Sequence, residues 1–272
     1  MMNIPEPHRR YLRLIGIDGT PSGLEGLEEI VRRHVCRVPF ENVSKLLLIG
    51  REGAGRATTF DEYLDGIERL DLGGTCYTNN PFLTELFRIL GYDADLLGAD
   101  MSAPNIHTSI RVRIAGVEYH VDAGYGGPFL RPIRLDQLPH EIRHGHDRYV
   151  FDRDRGGEGH EMAIYRGEER LHGYVVHGPP RQFEFFLPTI LDSYLPGKTF
   201  MTCLRIVRFF EDRAVELLNR TITCCRGTET SQRELSSLPE LEAAMKNDFS
   251  MPRCPVNQAV EILQQITGHS FF

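Results

Sequence analysis

The chain has no apolar run that reaches the roughly 20 residues needed to span a bilayer. A membrane partner is therefore not expected. It also has no excess of positive charge: 31 Lys+Arg stand against 38 Asp+Glu, for a formal net charge of −7. A nucleic-acid binder needs a dense basic face to neutralise phosphates, so that partner class is disfavoured as well. No C-x-x-C pair occurs, which weakens structural zinc and thioredoxin-type redox chemistry. The Gly-rich stretch Asp154–Gly159 lacks the Gly-Lys-Ser/Thr ending of a phosphate loop and reads as an exposed turn. The opening MMNIPEPHRRYL lacks the apolar core of a signal peptide, so a cytoplasmic location is expected. No internal repeat or low-complexity tract is evident.

What is present is an ordinary globular balance, 41% hydrophobic and 25% charged, over 272 residues. That length suits two or three packed subdomains and rules against disorder or a coiled coil. The cysteines are Cys36, Cys76, Cys203, Cys224, Cys225 and Cys254. In a chain of this size without a secretion signal, reduced thiols are the expectation, and most should pack as small hydrophobes.

Periodicity divides the chain. In Leu24–Val35 apolar residues recur at three and four, Thr20-Pro-Ser22 supplies the cap and turn, and Pro39 ends the helix. Phe60–Leu70 is a second amphipathic helix. Phe82–Leu90 is a third, with Asn80 a candidate N-cap and Pro81 in the first turn, so this helix should start no earlier than about Tyr77 or Thr78. The period then changes to two. Ile106–Ile114 and Val117–Val121 alternate around Ala115-Gly116 and predict a β-hairpin. Short β-like runs follow at Tyr149–Phe151 and His172–Val176. Two strands are expected over Phe200–Phe210 and Ala214–Thr223, with closing helices at Pro239–Lys246 and Val256–Ile266. Cys224 and Cys225, adjacent on such a strand, would point to opposite faces and read as packing residues.

Cys76 lies in Leu72-Gly-Gly-Thr-Cys76-Tyr-Thr-Asn-Asn80-Pro81, a glycine turn running into a helix. A thiol near a helix N-terminus feels a positive potential that favours the thiolate. The competing account is a buried cysteine packed under a glycine turn. With Ala115-Gly116 as the turn, His107 pairs with Gly124 and Ser109 with Asp122. His107 and Asp122 then share one sheet face as diagonal neighbours. A carboxylate that fixes an imidazole's tautomer produces a base able to deprotonate a thiol. A chance pair on a solvated face fits the same register.

Three segments together are similar to the arylamine N-acetyltransferase family: Arg37-Val-Pro-Phe-Glu-Asn-Val-Ser44, Gly73-Gly-Thr-Cys76-Tyr-Thr-Asn-Asn80, and His107 followed by Val121-Asp122-Ala-Gly-Tyr-Gly126. The match runs from about Tyr11 to Pro132 and continues weakly through Leu195–Phe200. The resemblance implies an α+β fold. Its parts would be an N-terminal helical bundle (residues 1–91), a central antiparallel β-barrel-like domain (92–195) and a C-terminal α/β lid (196–272). It implies a ping-pong reaction with acetyl-CoA as co-substrate and no metal. Cys76 would be the nucleophile, His107 the base and Asp122 its orienter. Phe40, Tyr125 and Phe200 match positions lining the pocket for an aromatic amine or hydrazine, and each also reads as a core aromatic.

The chain departs from that pattern in places. Leu72 stands where the family has an Arg that would pair with the acid corresponding to Glu41, leaving Glu41 to another partner or to solvent. Thr78 replaces a Glu or Gln, and a T-x-P-x-S pattern near the lid reads Tyr194, Pro196 and Lys198 here, so its small hydroxyl residues are missing. A short gap before His107 implies a trimmed loop around Asp95–Asn105. These changes keep two alternatives open: an amide synthase-like enzyme taking a carrier-bound acyl donor, and a degenerate homologue that binds aromatic ligands or CoA without turnover. A thiol protease or transglutaminase would use the same triad, and the Pro-Phe-Glu-Asn stretch argues against it. His140, His144 and His146 are the one cluster suggestive of a metal, and they read better as a solvated loop.

Overall fold

The computed structural model describes residues 4–156 and 158–272; Gly157, inside the glycine-rich turn, lies outside them. The first ninety residues form α1 (Glu6–Leu14), α2 (Gly23–Arg37), a short β1 (Phe40–Glu41), α3 (Val43–Glu52), α4 (Phe60–Leu70) and α5 (Cys76–Ile89). The second helix stops where Pro39 forces Val38 into extended backbone. The fourth opens on a reciprocal capping box between Thr59 and Glu62.

Then come β2 (Asp93–Asp100), β3 (His107–Ile114), β4 (Val117–Val121), β5 (Ile133–Arg134), β6 (His140–His144), β7 (Asp147–Arg153), β8 (His160–Arg166) and β9 (Glu169–Val176). They pair in the order β5-β4-β3-β2-β9-β8-β7-β6 and curl into a nearly closed antiparallel barrel. After α6 (Leu187–Asp192), the strands β10 (Arg205–Phe209), β11 (Ala214–Leu218), β12 (Thr221–Arg226) and β13 (Glu229–Glu234) form a second antiparallel sheet. The helices α7 (Leu238–Asn247) and α8 (Val256–Thr267) close the chain. The architecture is α+β, as expected.

The hairpin register is the predicted one, with Ile110 opposite Val121 and Ile114 opposite Val117. Ala115 and Gly116 both take positive φ, as the favoured two-residue turn requires. That register sorts the barrel wall. Ala94, Ile110, Val112, Tyr119 and Val121 face the helices and join their core. Leu97, Ala99, Phe151, Met162, Tyr174 and Val176 form a separate core cluster with Phe129 and Ile133.

Several expectations need correction. The helix carrying Cys76 begins at Cys76 itself, so Asn80 is not its cap and Pro81 sits inside it. The Asn80 side chain is engaged elsewhere, and Thr75 holds the cap position. Residues 93–100 are a strand and not a trimmed loop, because Asp93–Ala99 pair with His107–Arg113. His140–His144 is likewise a strand, pairing with Asp147–Phe151. Ala214–Thr223 is split by Asn219, whose positive φ makes the turn between β11 and β12. Phe200 lies in a 3-10 turn ahead of β10. Cys224 and Cys225 do lie on a strand, β12. Among the described residues no helix is long and apolar enough to cross a membrane, and no cluster of His, Cys, Asp and Glu is placed to hold a metal ion.

Candidate active site

The glycine turn and α5 together place Cys76. Gly74 has φ of 150°, a conformation side chains avoid, and a Cβ on Gly73 would strike the Pro39 carbonyl. These two positions let the backbone fold against β1, where Phe40 bridges to Gly74. Cys76 is then the first residue of a 14-residue helix, 6% exposed. The first amides of a helix lack intrahelical acceptors and carry its positive end.

The hairpin delivers the other two groups. His107 opens β3 and Asp122 follows β4, and His107 Nε2 meets Asp122 Oδ2 at 2.7 Å. The Cys76 sulfur lies close enough to the same ring to act on its charge. The helix and the hairpin are also joined by backbone, since Thr108 Oγ1 donates to the Cys76 carbonyl at 2.7 Å and Tyr77 Oη to the Ile106 carbonyl at 2.7 Å. All three predicted groups are therefore brought together, and all are buried.

A buried carboxylate without partners would cost several kcal/mol. Asp122 is well supplied: besides His107 it accepts from Asn80 Nδ2 at 2.9 Å and from the Gly124 amide at 2.9 Å. Hydrogen bonds to a charged group are worth about 1.5–3 kcal/mol each. Burial acts to raise the Asp122 pKa, but the imidazole and these donors win and hold it at about 2. Burial acts to lower that of His107, and the charges of Asp122 and Cys76 reverse it, raising the ring to about 10. The pair is thus set up as imidazolium and carboxylate.

Asn80 is the supporting residue that the sequence reading misplaced. Its amide nitrogen reaches both Asp122 and the Thr108 carbonyl, while its oxygen accepts the Ala123 amide at 2.9 Å. The signal was available, because Asn80 is itself the last residue of the Cys76 motif. Gly124 is similarly forced: a Cβ there would lie 2.5 Å from Cys76 Cα.

The three pocket aromatics are placed unequally. Tyr125 stands edge-on to His107 at 5.6 Å between ring centroids, with its hydroxyl 2.6 Å from His172 Nδ1. Phe40 and Phe200 pair with each other at 5.7 Å, and Phe40 also packs on Gly126 beside Tyr125. Glu41 is fully buried with backbone amides for partners, its oxygens accepting from Gly73 at 3.1 Å and Ser44 at 2.8 Å. Those amides stand in for the missing Arg, whose successor Leu72 packs in an apolar core. Tyr194 is buried under the Lys45 ammonium, and Lys198 pairs with Asp192. All six cysteines are free, and burial raises the thiols of Cys36, Cys203, Cys225 and Cys254.

The chain as a whole is similar to a known group. A family model described as N-acetyltransferase matches residues 23–253. An arylamine N-acetyltransferase of Mycolicibacterium smegmatis is 29% identical over 257 residues, covering 89% of this chain and 90% of that one. A solved structure of the M. smegmatis arylamine N-acetyl transferase superposes with a TM-score of 0.76 at 26% identity, covering 93% of this chain and 97% of that one. The Mycobacterium marinum arylamine N-acetyltransferase in complex with CoA shares the fold, with a TM-score of 0.79 at 20% identity over 95% of this chain and 98% of that one. The chain belongs to the arylamine N-acetyltransferase family of enzymes.

Proposed function

We propose that the chain carries an acetyl group from acetyl-CoA to an aromatic amine or hydrazine in two half-reactions joined by acetyl-Cys76. The observation that carries this reading is His107, buried between the Asp122 carboxylate and the Cys76 thiol at the start of a helix. His107 Nε2 is committed to Asp122, so Nδ1 carries the proton taken from Cys76, and the resting pair is thiolate and imidazolium. The sulfur attacks the thioester carbonyl, and the leaving CoA sulfur takes a proton back from the imidazolium. The amine then attacks acetyl-Cys76, gives its proton to His107, and the carbon–sulfur bond breaks. Backbone N–H groups at the start of α5 hold the oxyanion in both steps. One difficult acyl transfer becomes two easier ones.

Phe40, Tyr125 and Phe200 form the acceptor's aromatic wall in this reading. The CoA complex of the Mycobacterium marinum relative supports CoA as the donor's carrier. Helices to residue 91 supply the nucleophile, residues 92–195 the base and its orienter, and residues 196–272 a lid. The free thiols suit a reducing, cytoplasmic setting.

The test is intact mass after incubation with acetyl-CoA, beside Cys76→Ala and His107→Ala. The expected result is one acetyl adduct that the Cys76 variant lacks and that an aromatic amine discharges. An adduct formed only from carrier-bound or longer acyl donors would replace this reading with an amide synthase. No adduct from any donor, with CoA binding retained, would leave a binding protein.

A further inference from the structure

The barrel interior holds a second line of buried polar groups, running away from Cys76. Tyr174 on β9 is 1% exposed; its hydroxyl meets the Asp122 carboxylate and lies 2.9 Å from His120 Nε2. His120 on β4 is 1% exposed, and its Nδ1 lies 2.9 Å from His160 Nε2 on β8. The rings are packed in sequence, His107 to Tyr174 at 5.0 Å and His120 to His160 at 4.7 Å between centroids. His160 forms part of the wall of a separate groove of about 460 Å³, with Arg111, Glu118 and His177. The line therefore runs from the carboxylate of the candidate triad to the opposite end of the barrel.

Partner chemistry gives this line a direction. An ionised carboxylate only accepts, so where the Tyr174 hydroxyl acts on Asp122 it is the donor. The Tyr174 oxygen then accepts from His120 Nε2, which leaves His120 Nδ1 unprotonated. That nitrogen must accept, so His160 donates from Nε2. Burial holds both imidazoles neutral, His120 at about 4 and His160 at about 2, with His120 and Arg111 adding to the effect on His160. Each ring thus has one donor and one acceptor, as the line requires. Every proton points toward Asp122, and aligned hydrogen bonds polarise one another.

We propose that His160 and His120 are positioning residues which, through Tyr174, hold the Asp122 carboxylate ionised and aimed at His107. The charged and titratable groups facing them are few. His120 meets Asp122, His107, Tyr174 and His160. His160 meets His120 and Arg111, and that guanidinium is engaged by Asp95 at 2.9 Å and Glu118 at 3.5 Å. Tyr174 also faces Tyr125. The inference rests on the Cys76 reading, so its test reads the thiol without any acyl donor.

The test is the pH dependence of iodoacetamide alkylation, mapped to the peptide carrying Cys76, in the parent and in His120→Leu, His120→Gln, His160→Leu and the double Leu variant. His120→Leu should slow alkylation at neutral pH by about threefold to tenfold, the scale of one weakened charge-assisted bond. Its acid limb should move to higher pH, because a less supported carboxylate takes up its proton sooner. Gln can both donate and accept, so His120→Gln should restore the parent profile. The double variant should match His120→Leu, since His160 acts only through His120. An acid limb unmoved in a folded His120→Leu, or a His120→Gln as impaired as the Leu variant, would overturn the relay alone. Should His120→Leu fail to fold, an unmoved profile in His160→Leu would do the same. A parent with no acid limb at all would overturn the triad and the relay together.

Discussion

The two ends of the barrel interior treat a buried imidazole in opposite ways. His107 and His120 are both fully enclosed and their rings both pack on Tyr174, yet one is raised to about 10 and the other lowered to about 4. Burial pushes each toward the neutral form. At His107 the Asp122 carboxylate in direct contact and the Cys76 sulfur overturn that push. His120 hydrogen-bonds only neutral hydroxyl and imidazole partners, and burial outweighs the Asp122 charge it also faces. A buried histidine therefore becomes a base or a structural link according to its nearest charge, not its depth.

The most severe way to break this contrast is to neutralise the charge that creates it. Asp122→Asn keeps the size of the side chain and removes its charge, so His107 should behave like His120. Cys76 acylation by acetyl-CoA should fall on the order of a thousandfold or more, the scale of losing a triad carboxylate. Stopped-flow or quenched mass measurement of the acyl adduct checks this, and a loss under tenfold would show that Asp122 does not set the ring. Gly124→Ala tests geometry with every charge in place. Its Cβ would lie 2.5 Å from Cys76 Cα, so the helix start must move away from the hairpin. A displacement near 1 Å costs about a hundredfold in rate. Acylation should drop by that order while the melting temperature changes little, and a parent rate would mean the loop shifts instead.

Much of this site was legible in the sequence, because its parts are local. The turn Ala115-Gly116 sets the hairpin register, and register alone puts His107 and Asp122 on one face. Helix periodicity likewise located α2 and α4. What escaped was decided by contacts between distant segments. Pro81 argued for a later helix start, but helix α5 accommodates it beyond the first turn while Asn80 bonds to Thr108 and Asp122. Asp93–Asp100 lacks clean alternation because it is buried between two strands, β3 and β9. The partner of Glu41 was unpredictable from charge, since it is a pair of backbone amides. His160 carries no motif, and only the β8–β9 pairing brings it near His120 through Tyr174.

The gentlest test uses stability in place of rate. His120 stays neutral in the folded chain down to about 4, whereas an unfolded imidazole takes up its proton near 6.5. The unfolded state thus binds more protons between those values, and stability falls as the pH drops through that window. His107 has the opposite sign. Its ring is raised to about 10, so its contribution is complete below about 6.5 and is lost as the pH rises toward 10. Urea melts at pH 4.5, 7 and 9.5 should separate the two. His120→Gln should lose about 1–2 kcal/mol less than the parent between pH 7 and 4.5. His107→Gln should instead differ most from the parent at pH 4.5, almost as much at pH 7, and approach it by pH 9.5. Equal acid losses in the parent and His120→Gln would mean His120 is charged in the fold. The contrast between the two rings would then be false, since the same push of burial would have failed at both.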